Sequence, residues 1–177
     1  MSKMSYVNKT TVTALSIALC VVLPIAFHLI PNGGSILSPM HIPVLLCGLV
    51  CGWPYGLLCG IAGPIVSSLL TGMPGAAYLP AMMAELAVYG LVSGKMMQII
   101  HTGNKNADVY ISMITDMIAG RIIAGVLNAV IFTGGNYSLG LWIGSYFITA
   151  LPGIMVHLIL VPALIAALEK AGLIPPR

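Results

Sequence analysis

The chain has 177 residues, of which 59% are hydrophobic and only 6% are charged. A soluble domain carries roughly 25% charged residues, so this composition excludes a water-covered globular domain and predicts an integral membrane protein. The net charge of +3 comes from basic residues scattered along the chain, which excludes the basic stripe of a nucleic-acid-binding protein.

Apolar runs separated by turn residues predict one all-α membrane domain, residues 1–177, with six transmembrane helices. The first run, residues 10–30, follows Lys3 and Lys9 as the core of a signal peptide would. It is long enough to span a bilayer and longer than the roughly 7–15 residues of such a core, so we expect a retained helix. The other spans are predicted at residues 40–51, 55–70, 81–100, 109–133 and 141–168.

The second and third spans, separated by Trp53-Pro54, are short. They have about 12 and 16 residues against the roughly 20 that a crossing needs. They could form one re-entrant hairpin or two short helices sheltered by neighbours. Small residues at every fourth position predict close helix packing here, namely Gly48, Gly52, Gly56 and Gly60.

The distribution of lysine and arginine predicts the orientation in the plasma membrane. Basic residues fall near both termini and in the link after the fourth span: Lys3, Lys9, Lys95, Lys105, Lys170 and Arg177. The loops at the other end, residues 31–39, 72–80 and 134–140, carry no charged residue. Because cytoplasmic segments are enriched in basic residues, we expect both termini in the cytoplasm and these three loops outside.

Apart from Lys95 near the cytoplasmic end of the fourth span, three charged side chains fall inside predicted spans, where each costs roughly 2.5–3.5 kcal/mol: Glu85, Asp116 and Arg121. One reading is a Glu85–Arg121 ion pair that fixes helix register. The other is a water-accessible cavity in the outer half of the bundle, lined by Glu85, Tyr89, Arg121, Asn128 and His157. Both readings stay open at this point. Asp116 lies closer to the cytoplasm and is expected to cap a helix or to pair with Lys95 or Lys105.

Other polar and aromatic residues are candidates for the same region. His41 lies between Pro39 and Pro43, which predicts a helix start that directs the ring to the mouth of the bundle. In the sixth span, polar or small residues recur every four positions: Ser145, Thr149, Gly153 and His157. Trp142 and Tyr146 are predicted to form apolar walls together with Tyr89. A lid is predicted from Asn32, Met73, Tyr78 and Asn136.

No motif typical of an enzyme or a metal site occurs. The chain lacks GxxxxGK[ST], GxSxG and HExxH, so it is expected neither to catalyse a reaction nor to hydrolyse ATP itself. The cysteines show no metal-ligand spacing and are expected to be packing residues: Cys20, Cys47, Cys51 and Cys59. We therefore predict no cofactor or metal bound by this chain.

Two parts of the sequence resemble the substrate-binding S component of energy-coupling-factor (ECF) vitamin transporters. One comprises SPMHIPVLLCG and GMPGAAYLPAMMAELAVYG, and the other is the pair Ala14 and Ala18 in the first span. The resemblance implies a vitamin site under the three outer loops and docking of Ala14 and Ala18 on a transmembrane coupling subunit. It also implies two ATP-binding subunits that use ATP to drive release inside.

A small water-soluble vitamin or precursor is therefore the expected ligand, with Arg121 or His157 holding its carboxylate or polar head. Pantothenate is the first candidate, because Arg121 could meet an anion; pyridoxine, niacin, a folate-type molecule and a queuosine precursor stay open. The alternative function is a stand-alone secondary transporter or channel for a small polar solute, although no internal repeat is visible. An intramembrane enzyme is disfavoured by the missing nucleophile and metal motifs.

Overall fold

Helices make up all the regular secondary structure in the residues that the computed structural model describes, namely 4–27, 33–131 and 138–175. The longer helices are α1 (Tyr6–Phe27), α3 (His41–Cys51), α4 (Trp53–Thr71), α5 (Leu79–Ile99), α6 (Lys105–Ile131) and α8 (Leu151–Lys170). Two short helices, α2 (Gly33–Leu37) and α7 (Leu139–Ile143), precede α3 and α8. The all-helical prediction is confirmed for this part of the chain.

Four of these helices are long and apolar enough to cross a membrane: α1, α4, α6 and α8. The predicted number of six is therefore not confirmed. Helix α5 is 21 residues long, but Glu85 and Lys95 interrupt its apolar run. Helix α3 has only 11 residues. The prediction that the third span is short was wrong, because α4 has 19 residues and starts at Trp53, before the predicted boundary.

Glycines set the arrangement of α3, α4 and α5. Gly52 separates α3 from α4 with a φ of 96°, a backbone conformation that residues other than glycine rarely adopt. Gly56 of α4 lies directly against Gly90 of α5, and a methyl group on either residue would overlap the other helix's backbone. This close approach brings the three helices together and places the start of α3 beside the first half of α5.

The predicted sixth span, residues 141–168, is not one continuous helix. A π-helical segment, Gly144–Thr149, follows α7, and the chain turns at Ala150 before α8 starts. The predicted stripe at every fourth residue is therefore split. Ser145 and Thr149 are exposed, whereas Gly153 and His157 are buried against α2.

Charge is concentrated at one end of the bundle. Lys9 lies over the ring of Tyr55, and Lys95 lies over the ring of Trp53. Lys105 at the start of α6 forms an ion pair with Glu169 at the end of α8. The opposite end contains α2, the α4–α5 loop and α7, and it is there that the polar site described next is found.

Candidate functional site

A cavity of about 740 Å³ lies at the end of the bundle opposite Lys9, Lys95 and Lys105. This volume is within the range of pockets that hold small organic ligands. The walls come from the end of α1, from α2 and the turn that follows it, from the α4–α5 loop, the start of α5, the second half of α6 and the π-helical segment. Its polar lining residues are Ser38, His41, Tyr78, Glu85, Arg121, Asn128, Ser145 and Tyr146.

The turn before α3 places His41 in the cavity wall. Ser38 has a φ of 44°, a conformation that is uncommon for residues other than glycine and is typical of a constrained turn. Its carbonyl oxygen accepts a hydrogen bond from the backbone N–H of His41 at 3.0 Å and lies 3.2 Å from Nδ1 of the same residue. Pro43 follows in the first turn of the helix, where no backbone donor is required.

His41 pairs with Glu85, so the ion-pair reading, one of the two that the sequence left open for Glu85 and Arg121, was wrong. Nε2 of His41 lies 3.4 Å from Oε1 of Glu85, and both side chains are almost completely buried. Glu85 and Arg121 form no ion pair, although both are among the residues that the structure describes. The pairing follows from the tight packing of α3 on α5, which a single helix's periodicity does not reveal.

Arg121 is held from two sides and still has an unused donor. Its Nε donates a hydrogen bond of 3.0 Å to the hydroxyl of Tyr89, and its guanidinium lies 5.5 Å from the ring centre of Phe147. The Tyr89 hydroxyl in turn donates to the carbonyl of Met117 at 3.4 Å. Nη1 of Arg121 is buried and has no hydrogen-bond partner among the described residues. A buried donor of this kind is costly unless a ligand or water satisfies it.

Asn128 offers a second unused group, seven residues farther along α6. Its Nδ2 donates to the hydroxyl of Tyr146, and both residues line the cavity. Its Oδ1 is buried and lacks a hydrogen-bond partner in the described part of the chain. Helix α6 therefore contains one buried, unsatisfied donor on Arg121 and one buried, unsatisfied acceptor on Asn128, and both residues line the cavity.

Three predicted site residues lie behind the cavity rather than in its lining. Tyr89 is fully buried and supports Arg121. Trp142 packs on Gly125 and donates from Nε1 to the carbonyl of Arg121 at 3.0 Å. His157 stacks on His41, with ring centres 5.7 Å apart, and its Nε2 lies 3.1 Å from the carbonyl oxygen of Leu37. These residues position the lining side chains and α2.

The predicted lid is described only in part. Met73 and Tyr78, from the α4–α5 loop, line the cavity. Asn32 and Asn136 lie outside the described residues. Sequence reasoning missed several lining residues, among them Pro24, Ser38, Met40 and Met82. Ser38 and Met40 carried a usable signal, since both lie in the same turn as the His41 motif; Pro24 and Met82 resemble ordinary apolar residues of a membrane helix.

Asp116 does not have the role that the sequence suggested. It is completely buried in α6, and neither carboxylate oxygen has a hydrogen-bond partner among the described residues. Lys105 pairs with Glu169 instead, and Lys95 lies over Trp53. The predicted pairing of Asp116 with either lysine was therefore wrong.

Comparison with known proteins identifies the class of the chain. Residues 8–165 match the family described as "ECF transporter, substrate-specific component". The chain belongs to this family. It is accordingly a membrane-embedded, substrate-binding S component of a transporter, and the family is one of transporter subunits rather than enzymes. No curated protein gave a significant match.

The surface of this S component includes the two alanines that the resemblance singled out for docking. Ala14 and Ala18 lie on the exposed side of α1, next to Leu15, which is 60% exposed. The buried side of α1 is formed by Thr13, Ser16 and Cys20. The alanines are therefore available to a neighbouring subunit or to lipid and do not contribute to the core.

Proposed function

We propose that this S component captures a small water-soluble vitamin in the cavity and that pantothenate is its preferred substrate. The observation that carries the proposal is the 740 Å³ cavity with an unsatisfied donor on Arg121 beside it. A carboxylate is a suitable partner for that donor, because guanidinium–carboxylate hydrogen bonds are short and strong.

The spacing of the two unsatisfied groups favours pantothenate over a smaller acid. Residues seven apart on a helix have Cα atoms about 10 Å apart, and this separation applies to Arg121 and Asn128. Extended pantothenate places its terminal hydroxyl about 10 Å from its carboxylate, so one molecule can reach both residues. In nicotinate the ring nitrogen lies only about 5 Å from the carboxylate. Pyridoxine, a folate-type molecule and a queuosine precursor are the remaining candidates.

The charge asymmetry of the bundle supports an outward-facing cavity. Lys9, Lys95 and Lys105 lie at the opposite end, as expected of a cytoplasmic side. We therefore place both termini in the cytoplasm and the chain in the plasma membrane. This topology requires six crossings, the four long apolar helices plus α3 and α5. Helix α3 has 11 residues and a length of about 16 Å, so it would cross only within the shelter of its neighbours.

Delivery to the cytoplasm requires subunits outside this chain. We assign the exposed face around Ala14 and Ala18 to a transmembrane coupling subunit, because small side chains allow helices to approach closely in lipid. Two ATP-binding subunits of the same module would supply the energy, and ATP would bind to them rather than to this chain.

The decisive experiment compares binding with flux. The purified chain is placed in liposomes with or without an ECF coupling module, and binding and uptake of radiolabelled pantothenate are measured. The proposal predicts saturable binding by the chain alone and uptake only with the module and ATP. Uptake by the chain alone would instead support the alternative of a stand-alone secondary transporter or channel.

An Arg121→Met variant tests the site within the same assay. Methionine keeps an apolar chain of similar length but removes the guanidinium. We expect binding to be lost while the variant still inserts and unfolds at a similar temperature. Unchanged binding in a folded variant would contradict the assignment of Arg121.

A further inference from the structure

The two ring nitrogens of His41 both face groups that accept hydrogen bonds. Nδ1 lies 3.2 Å from the carbonyl oxygen of Ser38, and Nε2 lies 3.4 Å from the Glu85 carboxyl. A carbonyl oxygen can only accept, so Nδ1 must carry a proton. An ionised carboxylate can also only accept, so an additional proton must lie between Nε2 and Oε1.

Either position of that proton gives the same total charge. If the proton is on Nε2, a positive imidazolium faces a negative carboxylate. If it is on the carboxyl group, a neutral acid faces a neutral imidazole. The His41–Glu85 pair is therefore neutral in both forms, and the Glu85 charge is cancelled within the cavity wall.

Arg121 then remains as the uncompensated charge of the described lining. The whole chain has four acidic residues, Glu85, Asp108, Asp116 and Glu169. Asp108 is bound to Thr102, at the other end of α6, and Glu169 is paired with Lys105. Asp116 forms no ion pair with Arg121 and is not a lining residue. None of these carboxylates forms an ion pair with the guanidinium.

His157 does not alter this balance. Its Nε2 faces the Leu37 carbonyl, and the neutral ring can donate this hydrogen bond. A second positive ring stacked 5.7 Å from His41 would be unfavourable.

We infer that the cavity selects a ligand with one net negative charge, and that His41 determines this selectivity by cancelling Glu85. The inference rests on the proposed function and narrows its substrate class to monoanionic carboxylates. Without His41, the Glu85 and Arg121 charges would sum to zero, and the cavity would favour a neutral ligand.

The test uses two ligands that differ in charge and little else. Pantothenate is a monoanion, and pantothenol is the same molecule with an alcohol in place of the carboxylate. The measured quantity is the ratio of the pantothenol Kd to the pantothenate Kd for the full chain in detergent. We expect a ratio above roughly ten for the natural protein, the size of one hydrogen bond between charged groups.

Three variants distinguish a Glu85 charge that His41 cancels from one that it does not, because the two cases predict different changes in the Kd ratio. His41→Gln leaves Glu85 negative, so the ratio falls roughly tenfold. Glu85→Gln weakens both ligands together but keeps the ratio, because the His41–Glu85 pair contributes no net charge in the natural protein and glutamine adds none. The double variant His41→Gln/Glu85→Gln removes both charges and restores the ratio. A purely structural role of His41 predicts no such restoration.

Several results would overturn the inference. The first is an unchanged ratio in a folded His41→Gln variant, and the second is a double variant that fails to restore it. If His41→Gln does not fold, the Glu85→Gln variant alone provides the test. A ratio that rises roughly tenfold in Glu85→Gln would mean that the Glu85 charge is not cancelled in the natural protein, and it would overturn the inference. The last is a higher ratio in Asp116→Asn, which would mean that Asp116 already neutralises Arg121.

Other ligands separate failure of the inference from failure of the proposed function. Saturable binding of pyridoxine or nicotinamide in preference to pantothenate would overturn the charge selectivity but leave solute capture standing. Absence of saturable binding for all of these probes would overturn solute capture by the chain as well.

Discussion

The hydroxyl of Tyr89 orients Arg121, so its removal is predicted to weaken binding of the acid. The oxygen lies 3.0 Å from Nε of the guanidinium and is itself fixed by the carbonyl of Met117. A Tyr89→Phe variant keeps the buried ring and loses only this link. The fixed direction of the guanidinium is lost, while its contact with Phe147 remains.

The magnitude follows from the type of hydrogen bond. A hydrogen bond to a charged group contributes about 1.5–3 kcal/mol, and about 1.4 kcal/mol corresponds to a tenfold change in Kd. The Kd for pantothenate should therefore rise roughly 10- to 100-fold in Tyr89→Phe. Pantothenol, which has no carboxylate for Arg121 to hold, should change less than about threefold on the same scale.

Isothermal titration of the detergent-purified variant with both ligands measures this difference. Tyr55→Phe is the matched control, since Tyr55 lies at the opposite end of the bundle beneath Lys9. Thermal unfolding checks that both variants are folded. A folded Tyr89→Phe variant that binds pantothenate as tightly as the natural protein would refute the orienting role, as would an equal loss for both ligands.

Two further predictions concern packing and docking. Gly90→Ala should lower the unfolding temperature, because the added methyl group would overlap the backbone of Gly56 and such overpacking costs about 1–3 kcal/mol. The control variant Gly144→Ala should have little effect, because the space around its Cβ position is open. Replacing both Ala14 and Ala18 with leucine should preserve pantothenate binding but stop module-dependent uptake, while Ala166→Leu on the exposed side of α8 should spare both. Uptake at the natural rate in the double-leucine variant would contradict the assignment of α1 as the docking face.

Local signals predicted some helix boundaries better than others. Trp53-Pro54 correctly marks the break between α3 and α4, because proline is favoured in the first turn of a new helix. Pro152 carries the same signal for the start of α8. That signal was outweighed by the continuous apolar run around it, and the π-helical segment before Ala150 has no comparable mark in the sequence.

The chemistry of the site was easier to predict than its contacts. The high cost of charge in a bilayer directed attention to Glu85 and Arg121, and both line the cavity. Their partners could not be predicted in the same way. Glu85 pairs with His41, 44 positions earlier, because glycines bring α3 against α5. Arg121 forms a hydrogen bond with Tyr89, which helical spacing had assigned to the cavity wall.

The central claim is that the cavity holds one small anionic solute between Arg121 and Asn128. The most direct measurement is a crystal structure of the chain prepared with pantothenate. The account predicts density for one molecule whose carboxylate meets Nη1 of Arg121 and whose far hydroxyl meets Oδ1 of Asn128. A cavity filled by lipid or by rearranged side chains, with pantothenate bound elsewhere or absent, would contradict it.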